Sequence, residues 1–76
     1  MKTMEIILNS IDAVKNFVNI VTVYDFDVDL VSGRYVVDAK SIMGIFSLDL
    51  SKPIDLNIHS EDADEILDIL APYIVQ

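Results

Sequence analysis

The clearest pattern in the chain is a strict alternation of apolar and acidic residues between positions 24 and 30. The alternating residues are Tyr24, Asp25, Phe26, Asp27, Val28, Asp29 and Leu30. A period of two is typical of a strand with one buried and one solvated face. Residues 54–59 alternate in the same way. Both segments therefore predict strands of an antiparallel sheet, and the first predicts a row of aspartates on its exposed face.

Two segments have helical spacing instead. The apolar positions of the first are Ile11, Val14, Phe17, Val18 and Val21. This spacing predicts a helix over 11–22, with a cap from residues 9–10 and an acid in the first turn. Residues 60–62, Ser-Glu-Asp, predict the start of a last helix. Its expected stripe is Ala63, Ile66, Leu67, Leu70 and Ile74. Pro72 should kink or end it near Ala71.

The remaining elements are shorter. Residues 3–8 suit a first strand, and residues 32–34, Ser-Gly-Arg, predict a turn into a strand over 35–38. Ser41 precedes a short helix over 42–46. The predicted order is βαββαβα, with four strands and helices on one side, which makes an α+β open-faced β-sandwich. We expect one domain over residues 1–76.

Composition narrows the function. The chain has 76 residues, is 53% hydrophobic, contains no cysteine and has a net charge of −8. Such acidity disfavours nucleic acids and anionic membranes and favours basic protein partners. No signal peptide or run of about 20 apolar residues is present. We therefore expect a cytoplasmic protein.

Catalytic and metal-binding patterns are weak. No Ser/His/Asp set, phosphate-binding glycine loop or metal-spaced His/Glu group is recognisable, which predicts a protein that is not an enzyme. The row Asp25, Asp27 and Asp29 could hold a hard cation, but a solvated sheet face is the simpler interpretation. No cofactor and no metal site is predicted.

Residues 40–48, Lys-Ser-Ile-Met-Gly-Ile-Phe-Ser-Leu, resemble the regulatory-serine segment of HPr, the histidine phosphocarrier family of the bacterial sugar phosphotransferase system. The likeness covers residues 3–76, including the strand over 24–30 and the turn at 32–34. It implies an HPr-like antiparallel sheet of order 1-4-2-3. In that order, His59 on the fourth strand would neighbour the aspartate row and could pair with it.

The other half of the family signature is missing. HPr proteins carry phosphate on a histidine in a Gly-x-His-Ala-Arg-Pro loop, and residues 8–13 here read Leu-Asn-Ser-Ile-Asp-Ala. Counting back from Ser41 places Ser10 at the histidine and Asp12 at the arginine. A serine ester would not pass phosphate on readily, and Asp12 would repel it. The resemblance thus implies a divergent member without phosphotransfer, similar in that respect to the paralogue Crh.

Ser41 has two compatible interpretations. It can be a plain N-cap, and the resemblance implies a phosphorylation site for an HPr kinase/phosphorylase-like enzyme. In the family this serine controls contact with a transcriptional regulator and with transport enzymes.

The residues after Ser41 suggest protein docking. By resemblance, a partner-binding face would comprise Ser10, Ile42, Met43, Phe46 and Ser47. Simple core packing of the apolar residues is the alternative. We expect a monomer or weak dimer that acts as a regulatory binding module. Two other functions stay open, a phosphocarrier with an atypical acceptor and a self-associating scaffold.

Overall fold

The computed structural model describes residues 2–75 and contains four strands and three helices in the order βαββαβα. The elements are β1 Lys2–Ile6, α1 Ile11–Thr22, β2 Val28–Ser32, β3 Tyr35–Asp38, α2 Ile42–Phe46, β4 Ile54–Ile58 and α3 Asp64–Leu70. A single 3₁₀ turn, Ala71–Tyr73, follows α3. All strand pairs are antiparallel and the sheet order is β1-β4-β2-β3. The predicted fold class and sheet order are confirmed.

The alternation along the central strands gives the sheet one buried face. Ile54, Leu56 and Ile58 of β4 and Val28 and Leu30 of β2 are almost fully buried. The polar residues that alternate with them point away from the core. Carboxylates of neighbouring strands therefore lie opposite each other on the outer face of the sheet. Glu5 lies opposite Asp55 and Asp29 lies opposite Asp38. Like charges in directly opposed positions destabilise a sheet slightly, and this face is therefore held by the core beneath it.

The three helices cover the apolar face of the sheet with different numbers of anchors. Helix α1 buries Val14, Phe17 and Val21, whereas α2 buries only Ile45. Helix α3 buries Ile66 and Leu70. Each side chain lies in one continuous core, in which hydrophobic burial stabilises the fold by about 1.5–3 kcal/mol for each large residue. The helix predicted over 11–22 is confirmed.

The strand predicted from residue 24 begins only at Val28, and the predicted aspartate row is wrong. The chain bends at residues 25–26 after leaving α1, where the backbone N–H of Tyr24 donates to the carbonyl of Val21 at 3.2 Å. The rings of Tyr24 and Phe26 pack on each other with centroids 5.2 Å apart. Both rings also pack against the core, so the alternation here arises outside a strand, and of the three aspartates only Asp29 belongs to the sheet.

The ends of the chain also differ from the sequence pattern. Strand β1 ends at Ile6, although Leu8 is still fully buried. Helix α3 begins at Asp64 without a side-chain cap, because Ser60 Oγ accepts from the N–H of Asp62 and closes a turn instead. The helix ends before Pro72, as predicted.

Candidate functional site

Two serines begin helices in the same way. Ser10 Oγ accepts a hydrogen bond from the N–H of Ala13 at 3.0 Å, and Ser41 Oγ accepts from the N–H of Gly44 at 3.2 Å. Both serines have extended backbone conformations and both are exposed. Each oxygen satisfies an amide that would otherwise lack a partner at a helix start, which is worth about 1 kcal/mol.

The apolar residues of α2 divide between the core and the surface. Met43 is 75% exposed and Phe46 is 39% exposed, whereas Ile45 is fully buried. Ile42 is partly buried and packs against the core. Of the predicted docking residues on this helix, Met43 and Phe46 are therefore accessible and Ile42 contributes mainly to packing.

Ser10 and Phe46 line one concave surface between the start of α1 and the end of α2. The cavity has a volume of about 390 Å³ and is lined by Leu8, Asn9, Ser10, Ile11, Phe46, Leu50 and Ser51. Ile11 is 62% exposed at its edge. The lining of the cavity is mainly apolar, which suits a side chain of a protein partner better than a small charged ligand.

Ser41 and Ser47 lie outside that cavity. Ser47 is exposed, and its hydroxyl donates to the carbonyl of Gly44 at 2.6 Å, so it helps to close the end of α2. Ser47 instead lines a second cleft of about 620 Å³ between the β2–β3 turn and the α2–β4 loop, together with Arg34 and Lys52. The structure thus divides the five predicted docking residues over neighbouring surfaces.

Helix α2 packs closely on β3. A Cβ atom at Gly44 would lie 3.4 Å from the Cβ of Val37 and 3.2 Å from Ser41 Oγ, so glycine lets the helix approach the strand. Lys40, the residue before Ser41, is directed elsewhere, because its ammonium group donates to the carbonyl of Tyr24 at 2.7 Å.

A carboxylate follows the end of α2. Asp49 accepts from both the N–H and the hydroxyl of Ser51, and these bonds lower the pKa of its carboxyl group. The residue retains its negative charge at neutral pH and lines the larger cleft with Arg34 and Lys52.

The chain's only histidine lies just after β4. His59 Nε2 is 2.7 Å from Asp29 Oδ2, which confirms the expected pairing across β4 and β2. His59 does not line the cavity beside Ser10. Within residues 2–75, no three His, Asp or Glu side chains are placed to hold a metal ion together.

Sequence reasoning missed part of the cavity wall. Leu50 and Ser51 come from the loop after α2, and no periodicity or motif marked them. Leu50 is the only aliphatic residue in the loop 49–53, and it is partly buried. An isolated aliphatic residue in a polar loop was the one sign in the sequence that this loop contributes to the cavity.

Two solved structures share the fold. A crystal structure of HPr-C-His from Thermoanaerobacter tengcongensis is 25% identical to this chain and has a TM-score of 0.79. The alignment covers 95% of this chain and 89% of that chain. A phosphocarrier protein HPr from Bacillus anthracis str. Ames is 28% identical, with a TM-score of 0.71 and coverage of 97% and 94%. No curated protein matched the chain significantly.

A family comparison covers most of the chain. Residues 11–75 match the model described as PTS HPr component phosphorylation site. No helix within residues 2–75 is long and apolar enough to cross a membrane. The match of residues 11–75 to the family model extends over far more than half of the sequence. It agrees with the sheet order and with the two solved structures. The chain belongs to the HPr family of the sugar phosphotransferase system, whose members are phosphocarrier proteins and not catalytic enzymes.

Proposed function

We propose that this HPr-family protein is a regulatory binding module that has lost histidine phosphotransfer. It docks a protein partner through Ser10 and residues 41–48, and phosphorylation of Ser41 controls the docking. The observation that carries this proposal is the exposed Ser41 at the start of α2, next to the exposed Met43 and near Phe46. A dianionic phosphate added there would change the charge beside the apolar contact residues.

The loss of phosphotransfer is supported by the residues at the start of α1. Transfer from an imidazole depends on a labile phosphorus–nitrogen bond and on a nearby cation that neutralises the phosphoryl oxygens. The corresponding surface here has the hydroxyl of Ser10 and the carboxylate of Asp12, in the first turn of α1. A phosphoserine there would be a stable ester, and Asp12 would repel it.

Docking is supported by the shape and polarity of the surface. Ile11, Met43 and Phe46 are exposed apolar side chains close to the ends of two helices. Exposed aromatic and methionine side chains are common anchors in protein interfaces, because they bury a large area and Met adapts to its contacts. The partner would be an HPr kinase/phosphorylase-like enzyme or a transcriptional regulator.

The test is the intact mass after incubation with HPr kinase/phosphorylase and ATP. The unmodified chain should gain one phosphate and Ser41→Ala should gain none. Ser10→Ala and Ser47→Ala are matched controls, because each removes one exposed hydroxyl of the same surface, and both should still gain phosphate. Absence of any addition to the unmodified chain would mean that Ser41 is only a helix cap and would refute the regulatory part.

A second incubation tests the loss of phosphotransfer. With phosphoenolpyruvate and the first enzyme of the phosphotransferase system, no acid-labile phosphate should appear. Acid-labile phosphate on His59 would instead make the protein a working phosphocarrier with an atypical acceptor.

Sedimentation over a range of concentrations tests self-association and should show a monomer or weak dimer. Strong concentration-dependent assembly would support a scaffold instead.

A further inference from the structure

A third concave surface, a groove, lies at the opposite end of α1 from Ser10. It has a volume of about 380 Å³ and is lined by Asn19, Ile20, Val23, Tyr24, Glu65 and Ile69. Since α1 has 12 residues, its ends are about 18 Å apart. The groove between the end of α1 and the outer side of α3 is therefore separate from the cavity beside Ser10, with which it shares no lining residue.

The groove has an apolar floor that the fold does not cover. Val23 is 79% exposed and Ile69 is 44% exposed. Ile20 and Tyr24 are only partly buried. Single exposed aliphatic residues are common, but four apolar side chains that line one concavity form a continuous surface that water solvates poorly.

The rim of the groove is negative. Glu65 Oε1 accepts from the hydroxyl of Tyr24 at 2.8 Å, and this bond raises the pKa of Tyr24. Asp68 lies one turn further along α3, and Asp25 follows Tyr24. No Lys or Arg within residues 2–75 forms an ion pair with these three carboxylates.

The end of α1 adds to the negative potential. The last turn of this helix contains no basic residue, so its terminal carbonyl groups are not neutralised by a side chain of the helix. Two cations lie near the groove: the Lys40 ammonium group donates to the carbonyl of Tyr24, and Lys15 precedes Asn19 by one turn of α1. Two cations against three carboxylates and a helix C-terminus leave the rim negative.

We propose that this groove docks a short basic amphipathic segment of another protein. An aliphatic side chain of the partner would occupy the floor between Val23 and Ile69, and its Lys or Arg residues would lie against Glu65 and Asp68. The groove is a second interaction surface, beyond that of Ser10 and residues 41–48, and it shares no lining residue with the cavity beside Ser10.

Charge decides between the possible occupants. The chain has a net charge of −8, so two copies that joined their grooves would bring two negative rims together. An anionic membrane would be repelled in the same way. A basic segment is attracted, and its apolar side chains cover the floor, so it satisfies both properties of the groove.

The test uses a labelled synthetic helical peptide of leucine and lysine with leucines at i, i+3, i+4 and i+7. Binding is measured by fluorescence anisotropy at low salt, and backbone amide shifts map the contact. We expect saturable binding, with shifts at Val23, Tyr24 and Ile69. Val23→Ser and Ile69→Ser should each weaken the affinity about tenfold, the order expected when a buried aliphatic side chain is removed. Both side chains are exposed, so neither change should unfold the protein.

The controls separate this site from general attraction between opposite charges. A scrambled peptide of the same composition should bind at least about tenfold more weakly. Met43→Ser, an equally exposed apolar residue at the other surface, should leave the affinity unchanged. Equal binding of the scrambled peptide, or equal affinity of Val23→Ser, would overturn the proposal. So would Val23-dependent self-association or Val23-dependent binding to phosphatidylcholine/phosphatidylserine vesicles. None of these measurements depends on phosphorylation of Ser41.

Discussion

Helices α1 and α2 both begin with Ser-Ile, in Ser-Ile-Asp-Ala at 10–13 and Ser-Ile-Met-Gly at 41–44. The capping geometry is also the same, since each serine oxygen accepts from the amide three residues later. The helices differ at their second position, where α1 has Asp12 and α2 has Met43. The same cap therefore stands in a negative environment in one helix and in a neutral, apolar one in the other.

The two helices also differ in how firmly the core holds them. Three fully buried side chains anchor the 12 residues of α1, whereas Ile45 is the only fully buried residue in the five residues of α2. Ser10 thus belongs to a helix whose position is fixed by packing. Ser41 belongs to a helix that depends more on its cap, so a chemical change at that cap can have a larger local effect.

The largest expected effects come from removing a fully buried anchor of either helix. We expect Phe17→Ala in α1 to lower the free energy of unfolding by about 3–5 kcal/mol, and Ile45→Ala in α2 to lower it by about 2–5 kcal/mol. Urea unfolding measures both.

Hydrogen exchange distinguishes the two variants. In Ile45→Ala the amides of Gly44 and Leu48 should exchange much faster than the rest of the core, because α2 detaches locally. In Phe17→Ala the α1 amides should stay protected until global unfolding, because Val14 and Val21 remain. Equal acceleration in both helices would show that α2 is held as firmly as α1.

This difference in anchoring was only partly predictable from the sequence. Periodicity located α1 and β4 correctly because their apolar residues face one continuous core, and the capping Ser41 located α2. It failed at Tyr24, where two aromatic rings pack on each other outside the sheet, and at Ser60, which closes a turn rather than capping a helix. Both errors arise where a local side-chain contact imitates a regular pattern.

The candidate site was predictable only where a resemblance or a capping residue marked it. Ser10, Ser41, Met43 and Phe46 were named from the sequence, and the structure places Ser10 and Phe46 at one cavity. The groove between α1 and α3 combines residues far apart in the chain, such as Ile20 and Ile69. No one-dimensional pattern links them, and only the packing of the two helices brings them together.

The next effect concerns the two caps. Ser10→Ala and Ser41→Ala should each lower the free energy of unfolding by about 1 kcal/mol, because each leaves one helix-start amide without its partner. Amide exchange should reveal the difference between them. Protection from exchange should be lost through all of α2 in Ser41→Ala. In Ser10→Ala it should be lost only within the first turn of α1. Ser→Asp at either position retains a capping oxygen and serves as the control, which should restore the protection.

The smallest expected effect comes from changing the charge at the second position of each helix. Asp12→Asn should destabilise the protein by about 0.3–1 kcal/mol, since it removes an anion from the positive end of α1. Met43→Asp should stabilise α2 by a similar or smaller amount, with Met43→Asn as the uncharged control. Both effects should shrink at about 1 M salt, where the Debye length is about 3 Å.

The Met43 variants also separate stability from regulation. A carboxylate at position 43 would strengthen α2 but repel a phosphate on Ser41, as Asp12 would at Ser10. Met43→Asp should therefore be more stable than Met43→Asn yet take up less phosphate from HPr kinase/phosphorylase and ATP. Asn and Asp have nearly the same shape, so a lost apolar contact with the kinase would affect both variants equally. Equal uptake by the two would show that the charge beside the cap does not decide which serine can carry phosphate.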